Sequence, residues 1–266
     1  MRLRLHEQPL FLIIIAVAAL SMLVPASVAL VLDDFLTARS FFYAGILGLT
    51  ASLLIGLARG RRSVTHGNTD LVGLLSLLGS YVLVPAYMAL PLQESIGSTS
   101  FLNAYVEMVS ALTTTGAPMF EPGRLTPALE LWRAMVGWMG GLMIWVAAAA
   151  VLAPLNLGGF EVTWAAAPGS LGAQTDRFQR ADLLRRVIRS TRQLVPIYGL
   201  LTAVLWVLLL INGDEPLVAL CHAMSTLATS GISPVGGLAN ADGGIAGEIV
   251  IFLFLIFALS RVSFSS

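Results

Sequence analysis

Two stretches of this chain carry residues whose order suits stripping water from a monovalent cation. The first reads Asn103-Ala-Tyr-Val-Glu-Met-Val-Ser-Ala-Leu-Thr-Thr-Thr-Gly-Ala-Pro118. The second reads Val218-Ala-Leu-Cys-His-Ala-Met-Ser-Thr-Leu-Ala-Thr-Ser-Gly-Ile-Ser233. Offset by 115 with no gap, they match at Ala104/Ala219, Ser110/Ser225, Leu112/Leu227, Thr114/Thr229 and Gly116/Gly231. Glycine reaches backbone angles that other residues avoid, so successive carbonyls can point one way. A threonine hydroxyl adds a further oxygen, and rings of such oxygens can replace an ion's hydration shell. The candidate ion-binding residues are Thr113, Thr114, Thr115, Gly116 and Ala117 in the first strip. In the second they are Ala228, Thr229, Ser230, Gly231 and Ile232.

Something must hold these strips. Each follows an apolar, helix-compatible run of about a dozen residues, Phe101–Leu112 and Leu217–Leu227. A helix of that length reaches only about 18 Å. It cannot cross a bilayer, so it is either a buried helix or a re-entrant one. Backbone that leaves its helix at membrane depth is tolerated only where it lines a cavity or is buried in protein.

Six longer segments are predicted to span: Pro9–Leu32, Ser40–Ala58, Leu71–Leu92, Leu129–Leu152, Gln193–Ile211 and Ile245–Phe264. Composition agrees, with 57% hydrophobic and 11% charged residues; a soluble domain carries about 25% charged. The spans and short helices form a repeat of span, short helix, Thr/Gly strip and span. The two repeats are parallel, because two spans and one re-entrant loop return the chain to the same side. The expected fold is therefore an all-α polytopic membrane protein. Residues 1–62 hold two N-terminal transmembrane helices, 63–158 the first pore repeat, 159–192 a cytoplasmic arginine-rich loop and 193–266 the second pore repeat. The first apolar run is longer than a signal-peptide core of roughly 7–15 residues, although Ser27-Val28-Ala29 resembles a cleavage site.

All fifteen basic residues are arginine. Arg2, Arg4, Arg59, Arg61, Arg62 and the run from Arg177 to Arg192 fall on one side of the predicted topology. The positive-inside rule makes that side, with the N-terminus, cytoplasmic. A multi-pass protein of the cell (inner) membrane is expected. The opposite loops carry Asp33, Asp34, Glu94, Glu121, Asp214, Glu215 and Asp242. Such an acidic face either focuses cations or only keeps the loops wet.

Ser110-Ala-Leu-Thr-Thr-Thr-Gly-Ala117 resembles the first pore strip of the Trk/Ktr/HKT superfamily of potassium transporters, the TrkH branch in particular. His222-Ala-Met-Ser-Thr-Leu-Ala-Thr-Ser-Gly231 is similar to the second strip, and Trp132-Arg-Ala-Met-Val-Gly-Trp-Met-Gly-Gly141 to the first inner span. The resemblance implies potassium transport through a selectivity filter and places its glycines at Gly116 and Gly231. It implies K⁺ preference from Gly116, with K⁺ held by filter carbonyls only and no cofactor; Na⁺ remains an alternative cargo. Ser230 and Ile232 depart from that family's second strip. The family has four repeats and this chain two, so it resembles the N-terminal half. It is expected to be truncated or split, with a second copy or a complementary C-terminal half supplying the rest. The expected partners are membrane lipid and a cytosolic nucleotide-binding regulatory subunit at Arg177–Arg192, which otherwise only sets topology; no nucleic acid is expected. The alternative function is a non-conducting membrane scaffold or split subunit.

Several residues have two readings. Glu107 either anchors its short helix behind the strip or meets the ion directly. His222, its equivalent, reads as a hydrogen-bonded packing residue and Cys221 as a small buried hydrophobe. Arg133 either snorkels to the outer interface or pairs with Glu130 or Glu121. Arg261 is either a gate or barrier to cations or a residue reaching the cytoplasmic interface. Gly137, Gly140 and Gly141 permit close helix contact. No metalloprotease, nucleophile-elbow, P-loop or dinucleotide motif occurs, so no enzymatic activity is expected.

Overall fold

The computed structural model describes residues 10–59, 69–152 and 177–259, and every regular element among them is helical. Helices α1 (Leu10–Ser21) and α2 (Leu23–Val31) are nearly continuous, and α3 (Phe35–Arg59) returns beside them. Helix α4 (Thr69–Ile96) leads into the short α5 (Phe101–Leu112). The following α6 (Pro127–Ala147) ends in a wider π turn at Ala148–Leu152. The second half repeats the order: α7 (Arg177–Ile211), the short α8 (Pro216–Ala228) and α9 (Gly244–Leu259).

Among the described residues, five helices are long and apolar enough to cross a membrane: Leu10–Val31, Phe35–Ala58, Leu75–Ile96, Pro127–Ala150 and Arg185–Ile211. The sixth predicted span is not among them. Its described part, α9, has 16 residues, about 24 Å of helix against roughly 30 Å of hydrocarbon. The rest of that segment lies outside the described residues. A correction concerns the arginine-rich stretch. From Arg177 onward it is not a loop but the start of α7, continuous with the span. Arginine is a good helix former, and neither Gly nor Pro interrupts the chain between Arg177 and Pro196.

Each short helix sits between longer ones. Helix α5 packs against α4 and α6, and α8 packs against α7, α9 and α6. Helix α6 thus touches both. Its Trp132 is fully buried and meets the Phe41 ring edge-on at 5.3 Å. Met22, Met88, Met108 and Met224 complete that core. A second core of Tyr198, Leu205, Leu209, Leu227 and Ile251 surrounds α8. The outer faces of the spans are apolar, with Leu47, Leu54, Leu78 and Leu200 exposed. So broad an apolar surface suits lipid rather than water.

A close approach also joins the N-terminal helices to the first repeat. Tyr87 Oη donates to the Ala44 carbonyl at 2.7 Å. A Cβ at Gly48 would overlap that hydroxyl. Gly48→Val should therefore lower stability by about 1–3 kcal/mol through overpacking, and Tyr87→Phe by about 1 kcal/mol. Thermal unfolding in detergent measures both, and equal melting points for Gly48→Val and the parent chain would count against this packing.

Candidate functional site

The two short helices begin 115 residues apart. Helix α5 is capped by the Ser100 hydroxyl, which accepts from Asn103 N at 3.2 Å. Helix α8 opens on Pro216, whose missing N–H would be unpaired there in any case. They also end alike. Thr115 N donates to Ser110 O at 2.9 Å, and Ser230 N to Ser225 O at 3.0 Å. Thr114 and Thr229 take left-handed angles, φ 55° and 53°, and Gly116 and Gly231 both have φ 69°. A β-branched residue at positive φ is an outlier, costing of the order of 1–3 kcal/mol, and persists only where its surroundings over-determine it.

The strips lie against each other. A Cβ at Gly116 would overlap the Ser230 carbonyl oxygen, whereas one at Gly231 would enter open space. Among the described residues, no hydrogen-bond donor reaches the carbonyl oxygens of Thr113, Thr114, Thr115, Gly116, Ala228, Thr229, Ser230 or Gly231. Ala117 differs, because its carbonyl accepts from Ser110 Oγ at 2.9 Å. It is thereby already paired, unlike the other oxygens expected beside it. The Thr113 hydroxyl donates to Val109 O at 2.8 Å and lies 2.8 Å from Thr115 Oγ1. Side chains of Ser230 and Ile232 turn inward: Ser230 Oγ bonds Ser225 Oγ, and Ile232 packs near Gly137.

Behind the first strip is a buried triad. Glu107 is 2% exposed. Its Oε2 accepts from Met119 N at 2.6 Å and its Oε1 from Arg133 Nε at 2.6 Å. Arg133 Nη1 donates to Glu130 Oε2 at 2.7 Å. Of the two readings of Arg133, snorkelling fails, since the residue is 4% exposed. Glu107 from α5 and Glu130 one turn earlier on α6 hold its guanidinium inside, where a fork of donors meets two carboxylates. Glu121 is not a partner. Glu107 thus ties the chain three residues beyond Gly116 back to the short helix.

His222 Nε2 lies 2.9 Å from Ser233 Oγ, and Cys221 is buried as a free thiol. Arg261 lies outside the described residues. The glycines of α6 make contacts whose partners sequence reasoning did not supply. A Cβ at Gly140 would overlap the Leu112 carbonyl, and one at Gly141 would stand 2.9 Å from Ala228 Cα. Helix α6 therefore seats the ends of both short helices. The spacing of the glycines signalled close contact, but not with what.

Three relatives agree in kind. The Trk system potassium uptake protein TrkH of Escherichia coli is 30% identical over 217 residues, which cover 80% of this chain and 42% of TrkH. TrkI of Halomonas elongata is 29% identical over 228 residues, 85% of this chain and 42% of TrkI. TrkH of Vibrio parahaemolyticus is 28% identical over 267 residues, 96% of this chain and 52% of that protein. The crystal structure of the potassium transporter TrkH from Vibrio parahaemolyticus superposes with a TM-score of 0.76 at 25% identity, covering 96% of this chain and 49% of TrkH. No protein-family model matches. The chain spans about half the length of the curated relatives it matches.

Arg133→Gln strands two carboxylates away from water and should cost about 3–5 kcal/mol. Adding Glu107→Gln and Glu130→Gln to it should recover most of that loss, because no uncompensated charge remains. Melting points of the single and triple variants in detergent decide this; a triple variant no more stable than the single one would contradict the triad.

Proposed function

We propose that this chain, TrkH-like in sequence and in fold, supplies two of the four re-entrant segments of a potassium pathway across the cell membrane. One observation carries the reading. Two left-handed Thr/Gly strips lie side by side, and eight of their carbonyl oxygens have no donor among the described residues. Unpaired backbone is costly at membrane depth unless it borders water or an ion. Oxygen dipoles so arranged suit a dehydrated monovalent cation. The carbonyls of Thr113–Gly116 and Ala228–Gly231 replace its water. Potassium is the cargo named for the relatives, and Gly116 agrees with that choice.

The space beside Gly231 supports a place for the remaining segments. Gly116 is filled by a carbonyl of the next strip, while the equivalent space at Gly231 is open. A complementary half or a second copy brings a further strip to that side. The first helix starts in the cytoplasm, and the ion moves down its electrochemical gradient.

Potassium uptake in cells lacking other potassium systems tests this. Growth at low potassium should return when the chain is expressed with a separately encoded C-terminal half, and not with the chain alone. Gly116→Arg should abolish that rescue, because a long cation would fill and repel at the strip. Rescue that survives Gly116→Arg would overturn the assignment.

A further inference from the structure

The two halves tie down their strips by different chemistry. In the first, Glu107 Oε2 accepts the N–H of Met119. Moving 115 residues on, Glu107 becomes His222, Pro118 becomes Ser233, Met119 becomes Pro234 and Arg133 becomes Glu248. Proline has no N–H, so a carboxylate at 222 would find no amide at 234. Nor would it find an arginine at the position equivalent to Arg133. The second half keeps neither element of the first clamp.

Ser233 takes over instead. Its Oγ accepts from Val235 N at 3.3 Å and from Gly237 N at 3.0 Å. A hydroxyl has two acceptor lone pairs and one proton to give. With both lone pairs engaged, that proton must go to His222 Nε2, 2.9 Å away. Nε2 is then the acceptor, and the ring is neutral with its proton on Nδ1, a buried atom with no hydrogen-bond partner among the described residues. The imidazole is 2% exposed, and α8, which carries it, is the helix that ends in the second strip. His222 thereby orients a serine that gathers two amides just past Gly231.

We infer that His222 and Ser233 are positioning residues for the second strip, a neutral clamp standing where the first strip has the Glu107 carboxylate. As an account of ion transport, this rests on the pore reading above. The hydrogen-bond geometry does not, so the two can fail separately.

Hydrogen exchange and ¹⁵N NMR on the full chain in detergent read the clamp directly. Ser233→Ala should speed exchange at Val235 and Gly237 by about tenfold or more, the worth of a lost hydrogen bond or two, and leave Met119 unchanged. Ser233→Thr, which keeps the hydroxyl, should restore the parent rates. The His222 ring should show the Nδ1–H tautomer in the parent chain and lose that preference in Ser233→Ala. Unchanged exchange in Ser233→Ala, or an Nε2–H ring in the parent, overturns the clamp. In cells supplied with the C-terminal half, Ser233→Ala should weaken discrimination of K⁺ over Na⁺ while Ser233→Thr retains it. Unchanged discrimination with faster exchange removes the positioning role. Absence of uptake from the parent pair would instead sink the pore reading, with the exchange result still deciding the clamp.

Discussion

A peptide group inside a bilayer has no water to bond, so backbone there is either helical or committed to some other partner. This chain ends two short helices packed among its long apolar ones, after Leu112 and after Ala228. Both breaks adopt angles that threonine normally avoids. The surrounding helices have to hold that arrangement, and most of the described packing can be understood from this demand.

Helix α6 meets it for both strips at once. Its glycines bring it against the Leu112 carbonyl and against Ala228, contacts that larger residues would prevent. Its Arg133 reaches α5 and holds Glu107, which in turn holds Met119. The same helix carries Trp132 into the core shared with the N-terminal helices. Position, charge and packing thus converge on one element.

The halves are alike in backbone and unlike in side chains. The starts of the short helices and the left-handed positions recur at one offset. The groups behind them do not. A buried ion triad stands in the first half; a histidine and a serine stand in the second. The difference follows from which donors each strip offers: Met119 has an N–H and Pro234 has none. Backbone geometry is shared because the turn out of the helix has few solutions, while its support can be assembled from whatever chemistry is at hand.

Local pattern determined a good deal on its own. The apolar lengths separated spans from short helices, and the short helix Phe101–Leu112 forms with the bounds expected of it. The recurrence of Thr and Gly at a fixed spacing located the strips. Length alone also misled: Arg177–Arg192 looked like a loop because its charge excludes it from lipid, yet charge does not stop a helix. Arg133 had two readings, the interface or a pair with Glu130 or Glu121, and nothing nearby in sequence reveals that Glu107, 26 positions earlier, also faces it. Whether Gly140 packs on lipid or on a carbonyl, and whether the Ala117 carbonyl is free or taken by Ser110, also depended on the folded arrangement. Periodicity and composition act through each residue's own preference for water or lipid, so they are written locally. Ion pairs, close contacts and the satisfaction of backbone oxygens depend on which segments meet, and only the assembled fold brings those segments together.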